Sequence, residues 1–312
     1  MLDSDFLPQY KNIIQLIQDD LDILNKYFET NLFSTENQGR QIVPILKEFF
    51  SGKGKRIRSS LIFLLTKALG RHTDEFYYKL ALSNEIIHNA TLIHDDIIDC
   101  SILRRGRNTL NFDYDSKLAV LTGDYLLSVV LKLLTKVDDP AIRELHSEAV
   151  SKIITGELEQ YFNRFKLFSI DDYIEKSKNK TARLFETGLV SCYLYGNQDP
   201  VHCEDIRNFA LNFGIAFQID NDLKNFVDEE KMNEDITNGD YSAPLIYYAS
   251  EKKISEIRNS KQVLKDIKNT KAIEKTKALK NYYINLAIEN ICFLEDNQYT
   301  RAIKNLCRLY TG

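Results

Sequence analysis

Three aspartates interrupt the otherwise apolar run ATLIHDDIID, residues 90–99. On an α-helix Asp95 and Asp99 are four residues apart, so their side chains stack on one face. Asp96 lies roughly 100° further around, still near that face. Like charges at this spacing cost about 0.2–0.5 kcal/mol in an isolated helix. Partial burial makes the penalty several-fold larger. A positive partner is needed, and a hard divalent cation fits. Mg2+ prefers oxygen ligands, keeps several waters and is usually held by one or two carboxylates plus substrate phosphates. The all-aspartate set favours it over zinc. The plainer alternative is a solvated acidic helix end; the flanking Ile and Leu residues weigh against it.

Basic segments bracket this cluster. SGKGKRIRSS places Lys53, Lys55, Arg56 and Arg58 at a Gly-containing turn that leads into the apolar run LIFLL. A helix start with free amides attracts anions, and lysine and arginine reinforce it. Beyond Asp99 comes LRRGRN, where Arg104 and Arg105 offer guanidinium forks suited to phosphate oxygens. His88 lies seven residues before Asp95 on the same helix face and is a candidate phosphate donor. A metal-binding carboxylate pair beside two separate basic groups suits two diphosphates.

The elements that must position these residues are helices. Apolar residues recur at three and four positions through Tyr10–Phe28, Leu118–Val137 and Ile142–Phe162, and period-two alternation is rare. Breaks are expected at SGKGK, LRRGRNT, VDDPA, YGNQDP and NGDYSAP, where Gly, Pro, Asn and Asp cluster. The 312 residues are 44% hydrophobic and 28% charged, with only 12 Gly and 5 Pro. This predicts one all-α domain over residues 1–312, a large helical bundle with helices packed around central ones. A net charge of −4 argues against a nucleic-acid binder. The longest apolar runs fall short of the roughly 20 residues a membrane span needs, so no transmembrane segment is expected. The N-terminus MLDSDFLPQYKN lacks the pattern of a signal peptide. Five cysteines without CxxC spacing fit reduced thiols, and the expected location is cytoplasmic.

With these residues assembled, the chain resembles the trans-prenyl diphosphate synthase family over about residues 50–245. GKGKRIR is similar to the family's GGKRxRP segment, with Ser59 in place of proline. EIIHNATLIHDDIIDCSILRRG resembles its first aspartate-rich block, and LTGDYLL, GELEQ, KTARLFE and AFQIDNDLKNF follow in the family's order. The resemblance implies an all-helical fold of the isoprenoid synthase type with a central substrate cavity. It implies a homodimer that joins isopentenyl diphosphate to an allylic diphosphate. Lys55, Arg58, His88 and Arg105 would then hold isopentenyl diphosphate. Asp95 and Asp99, with Asp96 nearby, would hold Mg2+ on the allylic diphosphate, helped by Arg104. Asp222 falls at a further metal position, and Lys180, Thr181 and Gln218 match positions lining the reaction centre.

In this family large aromatic residues four or five positions before the first aspartate mark short products. Here Thr91 and Ala90 stand there, so a long product is expected: octaprenyl, made from farnesyl diphosphate for quinone side chains. Leu127, Val130 and Leu131 are candidate stops. The second aspartate-rich motif departs from the family, with Asn221, Asp222 and Asn225 where three aspartates usually stand. Asp220 could compensate. Asp240 replaces a usual lysine, and Lys231 matches another only after a one-residue shift. Two other readings stay open: a non-catalytic regulatory subunit of a two-component synthase, and a terpene cyclase. GKGKRIR with His88 and Arg105 argues against the second.

Overall fold

The computed structural model describes residues 3–33, 41–52, 54–104, 106–196, 200–257, 260–267 and 269–311. Among them the chain forms sixteen α-helices and one minimal hairpin. First come α1 (Asp3–Gln15), α2 (Gln18–Leu32), α3 (Ile42–Phe50) and α4 (Ile57–Ala68). Next are α5 (Glu75–Ile98), the antiparallel pair β1 (Leu103–Arg104) and β2 (Arg107–Asn108), and α6 (Leu110–Asp113). They lead to α7 (Ser116–Leu134), α8 (Pro140–Phe162), α9 (Ile170–Ser177) and α10 (Arg183–Leu194). The rest comprises α11 (Cys203–Val227), α12 (Glu229–Asn238), α13 (Ala243–Lys252), α14 (Ser260–Ile267), α15 (Ala272–Asn290) and α16 (Gln298–Arg308). The all-α expectation holds. No helix among the described residues is long and apolar enough to cross a membrane.

Central helices are apolar nearly all round, as buried helices must be. In α4 every residue from Ser59 to Thr66 is buried, and in α5 every residue from Leu80 to Ile87. Their few polar groups find partners inside: Ser59 donates to Glu85 at 2.7 Å and Thr66 to the Ile62 carbonyl at 2.8 Å. One hydrophobic cluster joins α4, α5, α7, α10 and the first half of α11. A second gathers α12, α13, α14 and the start of α15 around Ile215, Ile219, Leu223 and Phe226 of α11. Thus α11 runs through both clusters.

Local sequence explains where these helices start. Asp74 caps α5, accepting from the amides of Phe76 and Tyr77, and Asp115 caps α7. Asp139 followed by Pro140 opens α8, and Ser169 with Asp172 forms a capping box on α9. At the end of α5, Cys100 takes the left-handed conformation (φ 52°). Ser101 N–H then reaches the Asp96 carbonyl, and Cys100 N–H the Ile97 carbonyl. This Schellman turn stops the helix directly after the aspartate pair.

Two expectations are corrected. Tyr10–Phe28 is not one helix: it breaks between α1 and α2, where Ile17 is buried in the core with φ −131° and ψ 19°. Neither Gly nor Pro marks that break, because tertiary burial of Ile17 decides it. The break expected at LRRGRNT is present, and it holds the paired β1 and β2. The helix expected to reach Val137 ends at Leu134.

Candidate active site

One turn of α5 sorts its three aspartates onto different sides. Asp96 is 2% exposed and accepts from Arg104 Nε at 2.6 Å. Asp95 and Asp99 face the other way: Lys180 Nζ lies 3.9 Å from Asp95 Oδ2, and Arg164 donates to Asp99 at 3.1 Å. The sequence expectation that Asp96 stays with the other two is therefore corrected. A step of about 100° per residue carries it into a separate wall.

That wall belongs to a cleft of about 1220 Å3 between the α3–α4 turn, α5 and the hairpin. Lys55, Arg58, His88, Asp96 and Arg104 all line it, as do Phe217 and Asn221 of α11. His88 thus shares its surroundings with Asp96, not with Asp95 as its spacing suggested. The Arg58 guanidinium lies 4.5 Å above the centre of the Phe185 ring, a cation–π contact that fixes its direction. Tyr10 donates to the Lys55 carbonyl and so ties α1 to the basic turn. Arg105 and Lys53 lie outside the described residues.

On the opposite side of α5, Lys180 and Thr181 sit in a π-helical turn, Lys178–Ala182, between α9 and α10. Such turns insert one extra residue into a helix and recur at functional sites. Lys180 pairs with Glu157 of α8 at 2.5 Å as well as with Asp95. Burial alone would lower its pKa, but Asp95, Glu157 and Asp240 outweigh it and hold the ammonium above the ordinary lysine value. Burial raises both Asp95 and Asp99, with Lys180 opposing. A relay starts at Thr181, which donates to Gln218 Oε1 at 2.7 Å; Gln218 then donates to Asp222 Oδ1 at 2.8 Å. Tyr173 donates to Asp222 Oδ2 at 2.6 Å. Burial pushes Asp222 up to about 6, with the Tyr173 hydrogen bond working against it.

Asp222 therefore has both carboxylate oxygens engaged by neighbours, unlike the open ligand expected. Asp220 does not replace the missing charges, since it is buried against Lys280 at 3.1 Å and Lys224 at 2.7 Å. Lys231 is exposed and pairs with Asp228 at 3.9 Å. Among the described residues no three His, Cys, Asp or Glu side chains form a metal cage. The donors that remain, Asp95 and Asp99, are hard oxygens. They fit a divalent cation completed by water and phosphate oxygens.

Several residues here escaped sequence reasoning. Glu157 and Gln160 lie in GELEQ, a motif that carried no role. Arg164, Lys176 and Asp235 belong to no motif, and only the fold brings them together. Burial, Asp240 and Asp222 push Asp235 up to about 8. Among the candidate stops, Val130 is buried and Leu127 packs on the core, but Leu131 is 66% exposed on the outer face of α7. Ala90 is fully buried. Neither it nor Thr91 lines the cleft, so the expected corridor past them is not part of that opening.

Comparison with known proteins agrees with this architecture. Residues 40–283 match the family model of polyprenyl synthetase. A prenyl transferase of Cyanophora paradoxa is 30% identical over 311 residues, covering 94% of this chain and 95% of that protein. A decaprenyl-diphosphate synthase of Dictyostelium discoideum is 30% identical over 316 residues, covering 96% of this chain and 68% of that one. Among solved structures, the decaprenyl diphosphate synthase from Rhodobacter capsulatus superposes with a TM-score of 0.88 at 24% identity, covering 97% and 98% of the two chains. The chain belongs to the polyprenyl synthetase family and is a polyprenyl diphosphate synthase, a prenyltransferase.

Proposed function

We propose that the chain condenses isopentenyl diphosphate with farnesyl diphosphate to a long all-trans polyprenyl diphosphate, octaprenyl, for quinone side chains. It acts as a cytoplasmic homodimer, each subunit one synthase domain over residues 1–312. The observation that carries this reading is the two-walled geometry about α5. A basic cleft with Lys55, Arg58, His88 and Arg104 lies on one side, and the Asp95–Asp99–Lys180 chamber on the other.

The roles follow from that division. Lys55, Arg58 and His88, with Arg105, bind the diphosphate of isopentenyl diphosphate. Arg104, held by Asp96, stands between the two substrates. Asp95 and Asp99 would hold Mg2+, which when bound neutralises charge on the departing diphosphate, while Asp222, engaged by Tyr173 and Gln218, anchors the relay beside them. Lys180 adds a fixed ammonium beside that leaving group. Once the allylic C–O bond ionises, Thr181 keeps its hydroxyl proton on Gln218 and presents its oxygen lone pairs to the carbon cation. The isopentenyl double bond then forms the new C–C bond, and the released diphosphate takes the proton. Water must be kept from the cation for the C–C bond to form. A long product is supported by the small Ala90 and Thr91 and by the decaprenyl synthase relative.

Purified protein supplied with farnesyl diphosphate, labelled isopentenyl diphosphate and Mg2+ tests this. Labelled long-chain products are expected. Label incorporated only after addition of a partner chain, or cyclic hydrocarbon without label, overturns the reading.

A further inference from the structure

Asp240 stands where the family resemblance implies a lysine, so the chamber should be short of one positive charge. The structure places a different lysine there. Lys176, in the last turn of α9, brings Nζ to 2.5 Å from Asp240 Oδ1. The second oxygen, Oδ2, accepts from Gln160 Nε2 of α8 at 2.7 Å. Gln160 Oε1 in turn accepts from Lys180 Nζ at 3.4 Å, and Lys180 approaches Asp95. One carboxylate thus links Lys176, through Gln160, to the lysine beside the first aspartate.

This arrangement has an electrostatic logic. Two ammonium groups and the Arg164 guanidinium in one part-buried chamber would repel, and low dielectric strengthens that repulsion. Asp240 sits among all three. Burial pushes its carboxyl up, but Lys176 and Lys180 outweigh this and hold it below the ordinary aspartate value. The loop that carries it is fixed too. Gly239 adopts φ +71°, its carbonyl accepts from Phe165 N–H at 3.0 Å, and a Cβ there would stand 2.5 Å from the Phe165 nitrogen. That contact ties Asp240 to the segment bearing Arg164. Lys176, Lys180 and Arg164 keep 22–24% of their side chains exposed, so none of the three is sealed inside the protein.

Resting on the diphosphate chemistry above, we propose that Lys176 is a further binding residue for the allylic diphosphate and that Asp240 is its positioning residue. The charge missing from the loop is supplied from α9, and the aspartate directs it.

The full-length enzyme with Mg2+, farnesyl diphosphate and isopentenyl diphosphate provides the test. Lys176→Met is expected to raise the KM for farnesyl diphosphate about 10-fold or more. Its kcat and isopentenyl KM should stay within about twofold, and Lys176→Arg should keep most of the parent affinity. Asp240→Asn should raise the same KM, yet add nothing to Lys176→Met in the double variant. An unchanged farnesyl KM in a folded Lys176→Met enzyme overturns the proposal, as do fully multiplicative effects in the double variant. Failure of Lys176→Arg to restore affinity also counts against it. A parent enzyme that elongates nothing would sink the proposed function itself; a normal parent beside a normal Lys176→Met variant would sink only the lysine assignment.

Discussion

Asp95 and Asp96 are chain neighbours, yet their carboxylates serve opposite walls of α5, one near Lys180 and the other on Arg104. The two should therefore report on different substrates. Asp95→Asn keeps the shape and removes a charge that faces the leaving group. The expected loss in kcat/KM for the allylic diphosphate is at least about 100-fold, with isopentenyl binding little changed. Asp96→Asn weakens the hold on Arg104 and should raise the isopentenyl KM about 10-fold, a typical effect of losing a supporting partner. Steady-state kinetics on both variants, varying each substrate in turn, would expose the asymmetry; equal effects on both substrates would remove it. At this scale the sequence was informative where contacts are local. The Asp95–Asp99 pair follows from helix spacing alone. Lys176 and Gln160 lie 64 and 80 residues from Asp240, and no periodicity links them.

Elements hold these residues through close backbone approaches. Gly214 of α11 faces the π-helical turn, and a Cβ on it would stand 2.5 Å from Ala182 Cα and 2.6 Å from Ala182 Cβ. The obstacle on one side is backbone, which cannot rotate away. Gly214→Ala should therefore push α11 from the turn that carries Lys180 and Thr181. Overpacking of this kind costs on the order of 1–3 kcal/mol. It should also stretch the Thr181–Gln218 hydrogen bond, which spans the same two elements. Urea unfolding should register the stability loss, and kcat should fall more than either KM rises. Parent-like values in both measurements would mean that the contact relaxes without moving the turn. The glycine was visible in the sequence, but its neighbour was not. The same holds for the break at Ile17, which burial imposes without a helix-breaking residue.

Across the whole molecule, helix content and the order of the motifs were legible because amphipathic spacing and turn residues are local signals. The two hydrophobic clusters sharing α11 were not legible, since both depend on long-range packing. That packing also separates charge. Five basic side chains (Lys55, Arg56, Arg58, Arg104 and Arg107) line the cleft on one side of α5, against four acidic ones. Asp96, one of the four, is already spent on Arg104. On the other side, Asp95, Asp99, Glu157 and Asp240 meet Lys176, Lys180 and Arg164 in direct ion pairs, the three cations that pair with them among the described residues. A diphosphate entering this second chamber adds negative charge to a wall that already carries an excess, and only a divalent cation reverses the sign. The two substrates should accordingly differ in metal dependence. Removing divalent ions with EDTA should abolish turnover and weaken farnesyl diphosphate binding by about 100-fold or more, which corresponds to roughly 3 kcal/mol. Isopentenyl diphosphate binding, governed by the basic wall, should change only a few-fold under the same conditions. Calorimetric titration of each substrate with and without Mg2+ separates these outcomes. A farnesyl affinity indifferent to the chelator would mean that the cations of the second chamber suffice on their own, and that Asp95 and Asp99 serve another purpose than holding metal.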